Sequence, residues 1–591
     1  METKVKNLLK PLTALSLGFL FSCSTPSTEI CKDRLEFKTP QKIKFDGNEN
    51  LLLCGDPKTE SWKHIPLAQA EFDLKAYLSS RAYFEPRFEY KNDKLYVDPG
   101  KITLSTELKF LDAPPGFDEV RMRDVIHEPL NTALLNKINE WTTGRLRDLG
   151  YACPEIKVQA VEETGVITVT IKRGFLYSFG KVTMVDSLNL FPESYRRFDA
   201  FNTGQRYDQR LSKLTTSRSE IDGIVVSGQM LQRCPEDIPS TTSDTFILLP
   251  LREKVLGGDK HNLSLGAGAS TEEIPIVQAK WKSVRLDPFG SNFTFSAYAS
   301  QLIQKLQFTY NKYPLRYVPR FSLNPAISYE HDNELTYEFN QFQVNVPFTY
   351  KAEYDNSSLA TSFGPAASRV FSIVNNNTIN NAFLGGIGDI LFMTHDFELY
   401  QSDPRSGTRL EFNIQILSPW PTVDPVATVF QLNGTHLINL VPVSPHQWVL
   451  GFRYGLATTL TNIQPETDTT LPAQYFHTLG GDANLRGYGR NEINNNTVGA
   501  LSSVFLNTEI RYAKTLPLYM EPFLFFDIGA LGQEPFGING AVYTSPGIGM
   551  RLGTPFGSIR TTLAHGYIWN DANANPNLEH LQFFISFGSE F

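Results

Sequence analysis

The stretch GGDANLRGY occupies residues 480–488 of this 591-residue chain. Its glycines and polar side chains predict a loop, and the loop carries one arginine, Arg486. Arginine is never neutral in a protein, and its planar fork of donors matches carboxylates. Two acidic residues, Glu509 and Asp527, lie on the next two predicted strands. Either of these acids could receive the guanidinium of Arg486.

The segments after this loop alternate between apolar and polar side chains with a period of two. In the first of them, Glu509 and Arg511 share the polar face. The apolar faces of the five segments are Val504/Leu506/Ile510/Tyr512, Leu524/Phe526/Ile528/Ala530, Ile548/Met550/Leu552, Ile559/Thr561/Leu563 and Leu581/Phe583/Ile585/Phe587/Phe591. Such alternation predicts β-strands with one face in an apolar environment.

A membrane barrel and a soluble sandwich both show this alternation, so the pattern alone leaves both open. Three features favour the barrel: an N-terminal export signal, an aromatic share of 12% and a terminal phenylalanine, Phe591. A closed barrel also leaves no unpaired backbone edge in lipid. Residues 256–591 are about 335 residues, which at roughly 20 per strand and loop predicts a barrel of about 16 antiparallel strands. Its charged faces point inward.

Residues 30–255 have a different pattern, in which strands and helices recur as small α+β units. We predict three units, at 30–100, 101–173 and 174–255, each of about 75 residues. Their helices are predicted at 67–78, 129–149 and 207–222, and the third unit has predicted strands at 179–185, 225–226 and 245–251. The longest helix has apolar residues near a 3.6-residue period and ends at Gly150.

Residues 1–23 have the composition of an export signal. Three lysines precede the apolar segment 12–21, which has the length of a signal-peptide core. The segment ends in LFSC, which resembles a bacterial lipobox with Cys23 as the acylated residue. Ordinary cleavage, with Cys23 removed or left free, is the alternative, because Phe21 is bulky for that motif.

Four cysteines remain after Cys23: Cys31, Cys54, Cys153 and Cys234. An even number in an exported chain predicts two disulfides, and three pairings are possible. Their spacing matches no four-cysteine zinc pattern, so we predict no metal site.

Charge and motifs argue against several functions. A net charge of −8 without a basic stripe argues against nucleic acid as a partner. HExxH and GxSxG motifs are absent, and GGIGD at 385–389 lacks the lysine of a phosphate-binding loop. We predict that the protein is not an enzyme and uses neither a cofactor nor a small-molecule substrate.

Several motifs of the C-terminal half occur in an order and spacing that resemble a known family. They are GGDANLRGY at 480–488, NTEIR at 507–511, FFDIG at 525–529, GIGMR at 547–551 with TPFG at 554–557, and the closing Phe591. This set resembles the BamA/TamA superfamily of outer-membrane assembly factors. The N-terminal units resemble its POTRA domains, most closely at LGY (149–151) and GFLYSFG (174–180). Three such units before the barrel are most similar to the TamA branch.

The resemblance implies that the Arg486 loop folds back into the barrel lumen. Its motif residues are Gly481, Arg486, Gly487 and Tyr488. The guanidinium of Arg486 is then expected to meet Glu509 and Asp527, both of which have inward parity. A charge-assisted bidentate pair in a partly dry lumen would hold the loop firmly.

Three glycines, Gly547, Gly549 and Gly553, also have inward parity. They either leave room for the folded-in loop or relieve the curvature of the barrel. We favour curvature.

The resemblance also implies a location, partners and a mechanism. The barrel lies in the bacterial outer membrane with the N-terminal units in the periplasm, and the last strand, with Phe587 and Phe591, resembles the signal for barrel insertion. The first and last strands form a lateral gate, at which client proteins (autotransporter-like or β-barrel) pair by strand addition. The expected partners are these clients, the lipid bilayer and a TamB-like protein anchored in the inner membrane.

Two other functions remain open. A two-partner secretion pore would export one dedicated substrate, but that group usually has two POTRA units and a plug helix. A passive porin or receptor channel would not require the N-terminal units.

Overall fold

A computed structural model describes the following residues of the chain: 34–38, 43–56, 58–59, 65–117, 125–185, 188–234, 247–334, 337–374, 377–400, 403–422, 424–441, 447–463, 471–494, 499–513, 520–554, 557–569 and 580–588. Cys23, Cys31 and Phe591 therefore lie outside the described residues.

The first α/β unit contains β1 (Leu35–Phe37), α1 (Gly47–Cys54), α2 (Leu67–Ser79), β2 (Arg87–Lys91) and β3 (Lys94–Asp98). Its three-stranded sheet has the order β1-β3-β2, with β1 parallel to β3. Asp46 caps α1 in a capping box with Glu49. The helices pack on the sheet through leucines such as Leu74 and Leu95, which are fully buried.

The second unit contains β4 (Glu107–Leu111), α3 (Thr132–Asp148), β5 (Glu155–Val161) and β6 (Val166–Lys172), with the sheet order β4-β6-β5. Strand β6 alternates between buried and half-buried residues, and Ile167 and Val169 are fully buried. The helix predicted at 129–149 is present, and it begins three residues later and ends one residue earlier than predicted.

The third unit contains β7 (Tyr177–Met184), α4 (Pro192–Tyr195), α5 (Gln209–Asp222), β8 (Ser227–Gln232) and β9 (Ile247–Leu256), with the sheet order β7-β9-β8. A disulfide joins Cys153 to Cys234. Cys54 is disulfide-bonded as well. Of the three possible pairings, the one that joins Cys153 to Cys234 is present.

One predicted strand of the third unit, at 225–226, is displaced toward the N-terminus. The residues predicted as a strand at 225–226 precede β8, because α5 ends at Gly223 in the left-handed conformation and the chain then turns. In this turn Ile224 and Val225 are buried in the core of the unit. Strand pairing begins at Val226, whose N–H donates to the carbonyl of Leu256 at 2.9 Å, one residue before β8.

The chain divides into two compact units. One comprises residues up to 143 together with 155–173, and the other comprises 144–154 together with 174–591. The third α/β unit therefore belongs to the same compact unit as the C-terminal half.

The C-terminal half is a closed antiparallel barrel. Its segments are β10 (His261–Ser270), β11 (Ile276–Ser283), β12 (Asn292–Ala299), β13 (Ile303–Asn311), β14 (Phe321–Leu323), β15 (Ala326–Asn333), β16 (Tyr337–Asn345), β17 (Phe348–Glu353), β18 (Ser357–Val374), β19 (Asn377–Thr394), β20 (Gly407–Pro419), β21 (Ala427–Asn439), β22 (Gln447–Thr461), β23 (Ser502–Ala513), β24 (Met520–Gly532), β25 (Val542–Thr554), β26 (Gly557–His565), β27 (Tyr567–Trp569) and β28 (Leu581–Gly588).

Three strands of the barrel are each divided into two segments by a short interruption. These segment pairs are β14–β15, β16–β17 and β26–β27, and each pair counts as one strand. The barrel then has the 16 strands that were predicted. Pro325, Pro347 and Gly566 stand at the three interruptions. Proline removes a ladder donor and glycine weakens a strand, which explains these positions.

The two faces of the barrel have the predicted polarity. Large apolar side chains such as Leu506, Leu524 and Ile548 are exposed on the outer surface. Charged side chains such as Arg511 and Asp527 are buried inside. The period-two pattern therefore describes a membrane barrel rather than a soluble sandwich.

The helical content of the C-terminal half is small in the described residues. Its α-helix is the short α6 (His395–Leu399), in the turn between β19 and β20. None of the helices in the described part of the chain is long and apolar enough to cross a membrane.

Candidate functional site

The long loop between β22 and β23 folds into the barrel. In its described parts, 471–494 and 499–501, Leu485, Arg486 and Tyr488 are at most 2% exposed. One apolar cluster joins Leu485 and Tyr488 to the inner wall at Leu531 and Tyr543. The resemblance implied this inward position.

The backbone of the loop makes a tight turn at two glycines. Gly480 and Gly481 have φ angles of 110° and 101°, a region that favours glycine. The N–H of Gly481 donates to the carbonyl of Tyr488 at 2.9 Å. A Cβ on Gly481 would lie 2.5 Å from a carboxylate oxygen of Glu272. Glycine is therefore favoured at both positions by conformation, and at Gly480 also by space, because an added Cβ there would lie 2.2 Å from the backbone oxygen of Gly489.

Arg486 lies between the two acidic residues that the sequence singled out. Its Nη2 and Nε donate to the two carboxylate oxygens of Asp527 at 2.6 and 2.9 Å. Its Nη1 donates to Glu509 at 3.0 Å. Asp527 is fully buried and also accepts the backbone N–H of Arg486 at 3.2 Å. The loop is thereby fixed to β23 and β24.

The aromatic ring of Phe525 supports this arginine, which the sequence analysis did not foresee. The guanidinium carbon of Arg486 lies 3.6 Å from the ring centroid, within cation–π distance. A Cβ on Gly547 would lie 2.2 Å from the Phe525 ring, and one on Gly549 would lie 2.2 Å from the ring of Phe523. These two glycines therefore make room for wall aromatics, a reason that neither of our two interpretations included.

The end of the motif packs against the strands on the far side of Asp527. A Cβ on Gly487 would lie 2.5 Å from the Cβ of Ser545. The hydroxyl of Tyr488 donates to the carbonyl of Tyr567 at 2.8 Å, and its ring meets Tyr543 edge to face. Each of the four motif residues thus has a defined contact with the barrel or its turns.

A second arginine of the loop, Arg490, was missed by the sequence analysis. It donates to Glu334 at 2.6 Å and forms an ion pair with Glu273. Glu273 lies in the turn after β10, and Glu334 follows β15. The sequence feature that could have predicted these contacts is the pair of neighbouring acids, Glu272 and Glu273, together with the two arginines of the loop.

The barrel closes between its first and last strands through a short ladder. In the described residues, β10 and β28 share two register pairs, Ala269–Phe587 and Ser270–Ser586. The adjoining junctions are longer, because β10–β11 and β26–β28 each have eight. We call the β10–β28 junction the seam.

Residues 480–492 of the loop, here called the strap, contact both sides of the seam. On the β10 side, the N–H of Asp482 donates to Glu272 at 3.2 Å. On the β28 side, Arg560 of β26 donates to the Asp482 carboxylate at 2.7 Å, and Glu492 lies 3.5 Å from His580. The strap therefore joins the two sides by polar contacts where the backbone ladder is short.

Burial raises the pKa of Glu272 in the turn after β10. The hydrogen bond from the backbone N–H of Asp482 lowers this pKa and the charge of the Asp482 carboxylate raises it, and the net effect is a raised pKa. Glu273 behaves differently. Burial opposes its charge, but hydrogen bonds from Tyr298 and the charge of Arg490 outweigh burial and lower its pKa. Of the two neighbouring acids, Glu273 is therefore the stronger partner for a cation.

Comparison with known proteins gives a family. The model of the Omp85 superfamily domain matches residues 288–591, which is more than half of the chain. The chain belongs to the Omp85 superfamily. No curated protein matches it.

The Omp85 chain is also similar to solved structures. BamA from Haemophilus ducreyi lacking POTRA domains 1–3 is 15% identical, with a TM-score of 0.47, and the match covers 83% of this chain and 100% of that one. CdiB from Acinetobacter baumannii is 12% identical, with a TM-score of 0.44 and coverage of 88% and 97%. CdiB from Escherichia coli is 9% identical, with a TM-score of 0.45 and coverage of 83% and 91%.

The Omp85 barrel lies in the bacterial outer membrane, and its POTRA-like N-terminal domains lie in the periplasm. The third of these domains contacts the periplasmic turns of the barrel. Arg197 donates to the carbonyls of Phe289 and Gly290 at 2.9 and 3.0 Å, and its guanidinium stacks on the ring of Tyr313.

An ion cluster around Arg218 of α5 strengthens this contact. Arg218 donates to Glu353 at 2.8 Å and to Glu398 of α6 at 2.6 Å. His395 lies 3.1 Å from Glu353. Burial opposes the charge of Glu398, but the hydrogen bonds and charge of Arg218 outweigh burial and lower its pKa. Sequence periodicity cannot reveal such a cluster, because its members lie far apart in the chain.

The remaining predicted residues have simpler positions. Phe587 lies in β28 at the seam, opposite Ala269. Insertion through Phe591, acylation of Cys23 and the pairing of Cys31 stay predictions, because these residues are outside the described part. In the described residues, no group of three or more acidic, histidine or cysteine side chains is arranged to hold a metal ion.

Proposed function

We propose that this protein is a TamA-like assembly factor, which promotes the insertion or secretion of client outer-membrane proteins through the seam. The observation that carries the proposal is the ladder between β10 and β28, which has two register pairs in the described residues. Exposed backbone N–H and C=O groups at a strand edge are a template for another strand. A client strand can therefore pair with β10 or β28 while it passes from the lumen side to lipid.

The energetics favour opening at this junction over its neighbours. With about one hydrogen bond per register pair, at about 1 kcal/mol net each, the seam ladder contributes about 2 kcal/mol. The same arithmetic gives about 8 kcal/mol for each adjoining junction with eight pairs. Counted over the described residues, in which β28 ends at Gly588, the seam is the weaker junction even before the strap is considered.

Two observations support an assembly role over a pore for one dedicated substrate. Three α/β units, rather than two, precede the barrel. In the described residues after β10, α6 has five residues and lies in a turn, so it does not act as a plug. The Arg486 loop occupies the lumen instead, which argues against a passive porin.

A disulfide across the seam tests the proposal. Ser270→Cys with Ser586→Cys places two cysteines directly opposite each other on β10 and β28. The matched control, Ser296→Cys with Gln307→Cys, joins β12 to β13 at an eight-pair junction. Proteoliposomes containing each variant receive an unfolded eight-stranded outer-membrane barrel, and its folding is followed by heat-modified gel mobility.

We expect the oxidised seam variant to lose most of its folding activity and to regain it on reduction. The oxidised control is expected to fold the probe at the wild-type rate. Equal activity of the oxidised and reduced seam variant would contradict passage through the seam.

We further propose that the first α/β unit docks a TamB-like periplasmic protein and that the protein works without catalysis or a cofactor. The support for this partner is the TamA-like motif set. Photo-crosslinking from residues of β2, with residues of β5 in the second unit as the control, tests the partner. Enrichment of one large inner-membrane-anchored protein from β2 alone is the expected result. Equal enrichment from both strands would exclude specific docking at the first unit.

A further inference from the structure

A cavity of about 490 Å³ lies at the periplasmic end of the barrel. Helix α5 of the third unit forms one wall, and the inner faces of β11, β14 and β17 form the others. Its volume is within the range of ligand-binding sites. The strap and the Arg486 pair do not line it, so it is separate from the site described above.

The lining of this cavity is strongly basic. Six basic side chains face two acidic ones, Asp222 and Glu398. The basic residues are Arg197, Arg218, Lys280, Lys282, Arg320 and Lys351. The whole chain has a net charge of −8. A cavity with the opposite sign of charge in such a chain favours anions.

Several of these cations are already neutralised. Arg218 is paired with Glu398 and Glu353, and Lys282 lies 2.8 Å from Asp222. Lys351 lies 3.5 Å from Glu353. These pairs explain how α5 is held against the barrel, and they leave the other cations to be accounted for.

Two cations in the cavity lack such a partner. In the described part of the chain, neither Lys280 nor Arg320 has a carboxylate oxygen within 4.0 Å. Arg320 donates one hydrogen bond, to the backbone carbonyl of Asp199 at 3.0 Å. Lys280 is on β11 and Arg320 directly precedes β14, so the two charges approach the cavity from different strands.

A hydrogen-bond acceptor also remains available in the same cavity. The amide nitrogen of Asn324 donates to Thr349 at 2.9 Å, and Thr349 in turn donates to Ser362. This chain sets the orientation of the amide, and its buried Oδ1 has no partner. A ligand with N–H donors as well as negative charges would satisfy the whole lining. Hydrogen phosphate also carries an O–H donor, but a single phosphate would fill only a small part of the cavity of about 490 Å³, whereas an acidic peptide has both groups and the length to reach cations on two strands.

We propose that this cavity binds an acidic segment of extended polypeptide, with carboxylates at Lys280 and Arg320 and a backbone N–H at Asn324. The inference rests on the proposed function, because a client is the polypeptide that would enter the lumen from the periplasm. The cavity would hold the client below the seam before its strands pair.

The test is peptide binding to the full-length protein, purified in detergent micelles. The probes are fluorescent decaglutamate and decaglutamine, and binding is measured by fluorescence anisotropy at low and moderate salt. We expect decaglutamate to bind about tenfold or more tightly than decaglutamine, and less tightly as the salt concentration rises.

The decisive variant is Lys280→Gln with Arg320→Gln, which is expected to weaken decaglutamate binding by about tenfold or more. Its matched control, Lys305→Gln with Arg409→Gln, removes two other barrel cations. These already pair with Glu330 and Glu411 at 2.8 and 3.1 Å and do not line the cavity. The control should bind decaglutamate within about twofold of wild type.

Three results would overturn the inference. Equal binding by wild type and the Lys280/Arg320 variant would exclude the cavity. Displacement of the peptide by an equal concentration of inorganic phosphate would indicate a small-anion site, and displacement by phosphatidylglycerol micelles would indicate a lipid site. The assay has no folding step, so failure of the seam-disulfide experiment would leave this result standing, and failure here would leave the seam proposal standing.

Discussion

In the described residues, β23, β24 and β25 pair over ten and eleven residues at their two junctions, whereas β10 and β28 pair over two. The first region also binds the loop through Arg486, with fully buried acceptor groups on Asp527. The second is joined by the partly exposed contacts of the strap. A sheet can therefore be rigid on one side and openable on the other, because ladder length and burial differ along its circumference.

The variant with the largest expected effect on the rigid region is Arg486→Ala. The change leaves the Asp527 carboxylate buried without its cation, and removing one partner of a buried ion pair costs about 3–5 kcal/mol. We expect the loop to leave the lumen while the barrel still inserts. Limited proteolysis between 480 and 494 measures this release, together with folding of the probe barrel.

Arg409→Gln is the control for that variant, since it removes a half-exposed pair with Glu411 that is worth less than about 1 kcal/mol. Arg486→Lys should restore only part of the anchoring, because a lysine cannot bind both carboxylates in a bidentate manner. An Arg486→Ala protein with a protease-resistant loop would contradict the anchoring role.

The second prediction concerns the packing of Gly547 against the ring of Phe525 on the inner wall of the barrel. Gly547→Ala places a methyl group 2.2 Å from the ring of Phe525, and overpacking of this kind costs about 1–3 kcal/mol. We expect a lower unfolding temperature and a looser loop. At Gly386 the nearest atom to an added Cβ is 3.6 Å away, so Gly386→Ala is the matched control and should behave as wild type. Equal unfolding temperatures for the two alanine variants would refute the packing argument.

The third prediction is that the ion pairs of Arg490 in the strap keep the seam closed. Arg490→Gln removes the ion pairs with Glu273 and Glu334, whose carboxylates are buried although the arginine is 26% exposed, so we expect a smaller cost than for the fully buried Arg486 pair. We expect the seam to open more often, so that free thiols of the Ser270/Ser586 cysteine pair react faster with a maleimide probe.

Arg405→Gln is the matched control for the seam test. It also removes a salt-bridged arginine, one that pairs with Asp403 and Glu521 rather than with the strap. Unchanged thiol reactivity in Arg490→Gln would mean that the strap does not hold the seam.

The smallest expected effect is on pH dependence. Because the pKa of Glu272 is raised in the folded protein, the folded state binds this proton more tightly than the unfolded chain does. The contribution of Glu272 to stability is then greatest below the ordinary glutamate pKa and is lost as the pH rises through the folded pKa. Glu272→Gln should slow proteolysis of the strap slightly at pH 7.

The difference between Glu272→Gln and wild type should shrink as the pH falls below the ordinary glutamate pKa. Proteolysis rates over a pH series, with an acid-stable protease as one of the reagents, measure this. A constant difference at every pH would show that the charge of Glu272 is not responsible.

Much of the barrel was predictable because one repeated constraint acts on every strand. Lipid outside and charge inside impose a period of two, and that period is visible at Leu506, Glu509 and Leu524 without any knowledge of strand pairing. The pair of Arg486 with Asp527 was also predictable, because the family resemblance implied a folded-in loop and the same period gave both acids inward parity. Arg490 was missed because its partners lie in turns, where no period applies.

The amino-acid sequence by itself determined the alternation, the inward charges, the turn glycines of the loop and the division into α/β units and barrel, because each depends on neighbours in the chain. Only the tertiary structure decided which junction has two register pairs, which ring supports Arg486 and which cations meet in the periplasmic cavity. These features join residues that are hundreds of positions apart, and their energies depend on distance and burial in space. Local sequence patterns determine which segments become strands or helices, and the closure of the barrel determines which side chains from distant segments meet.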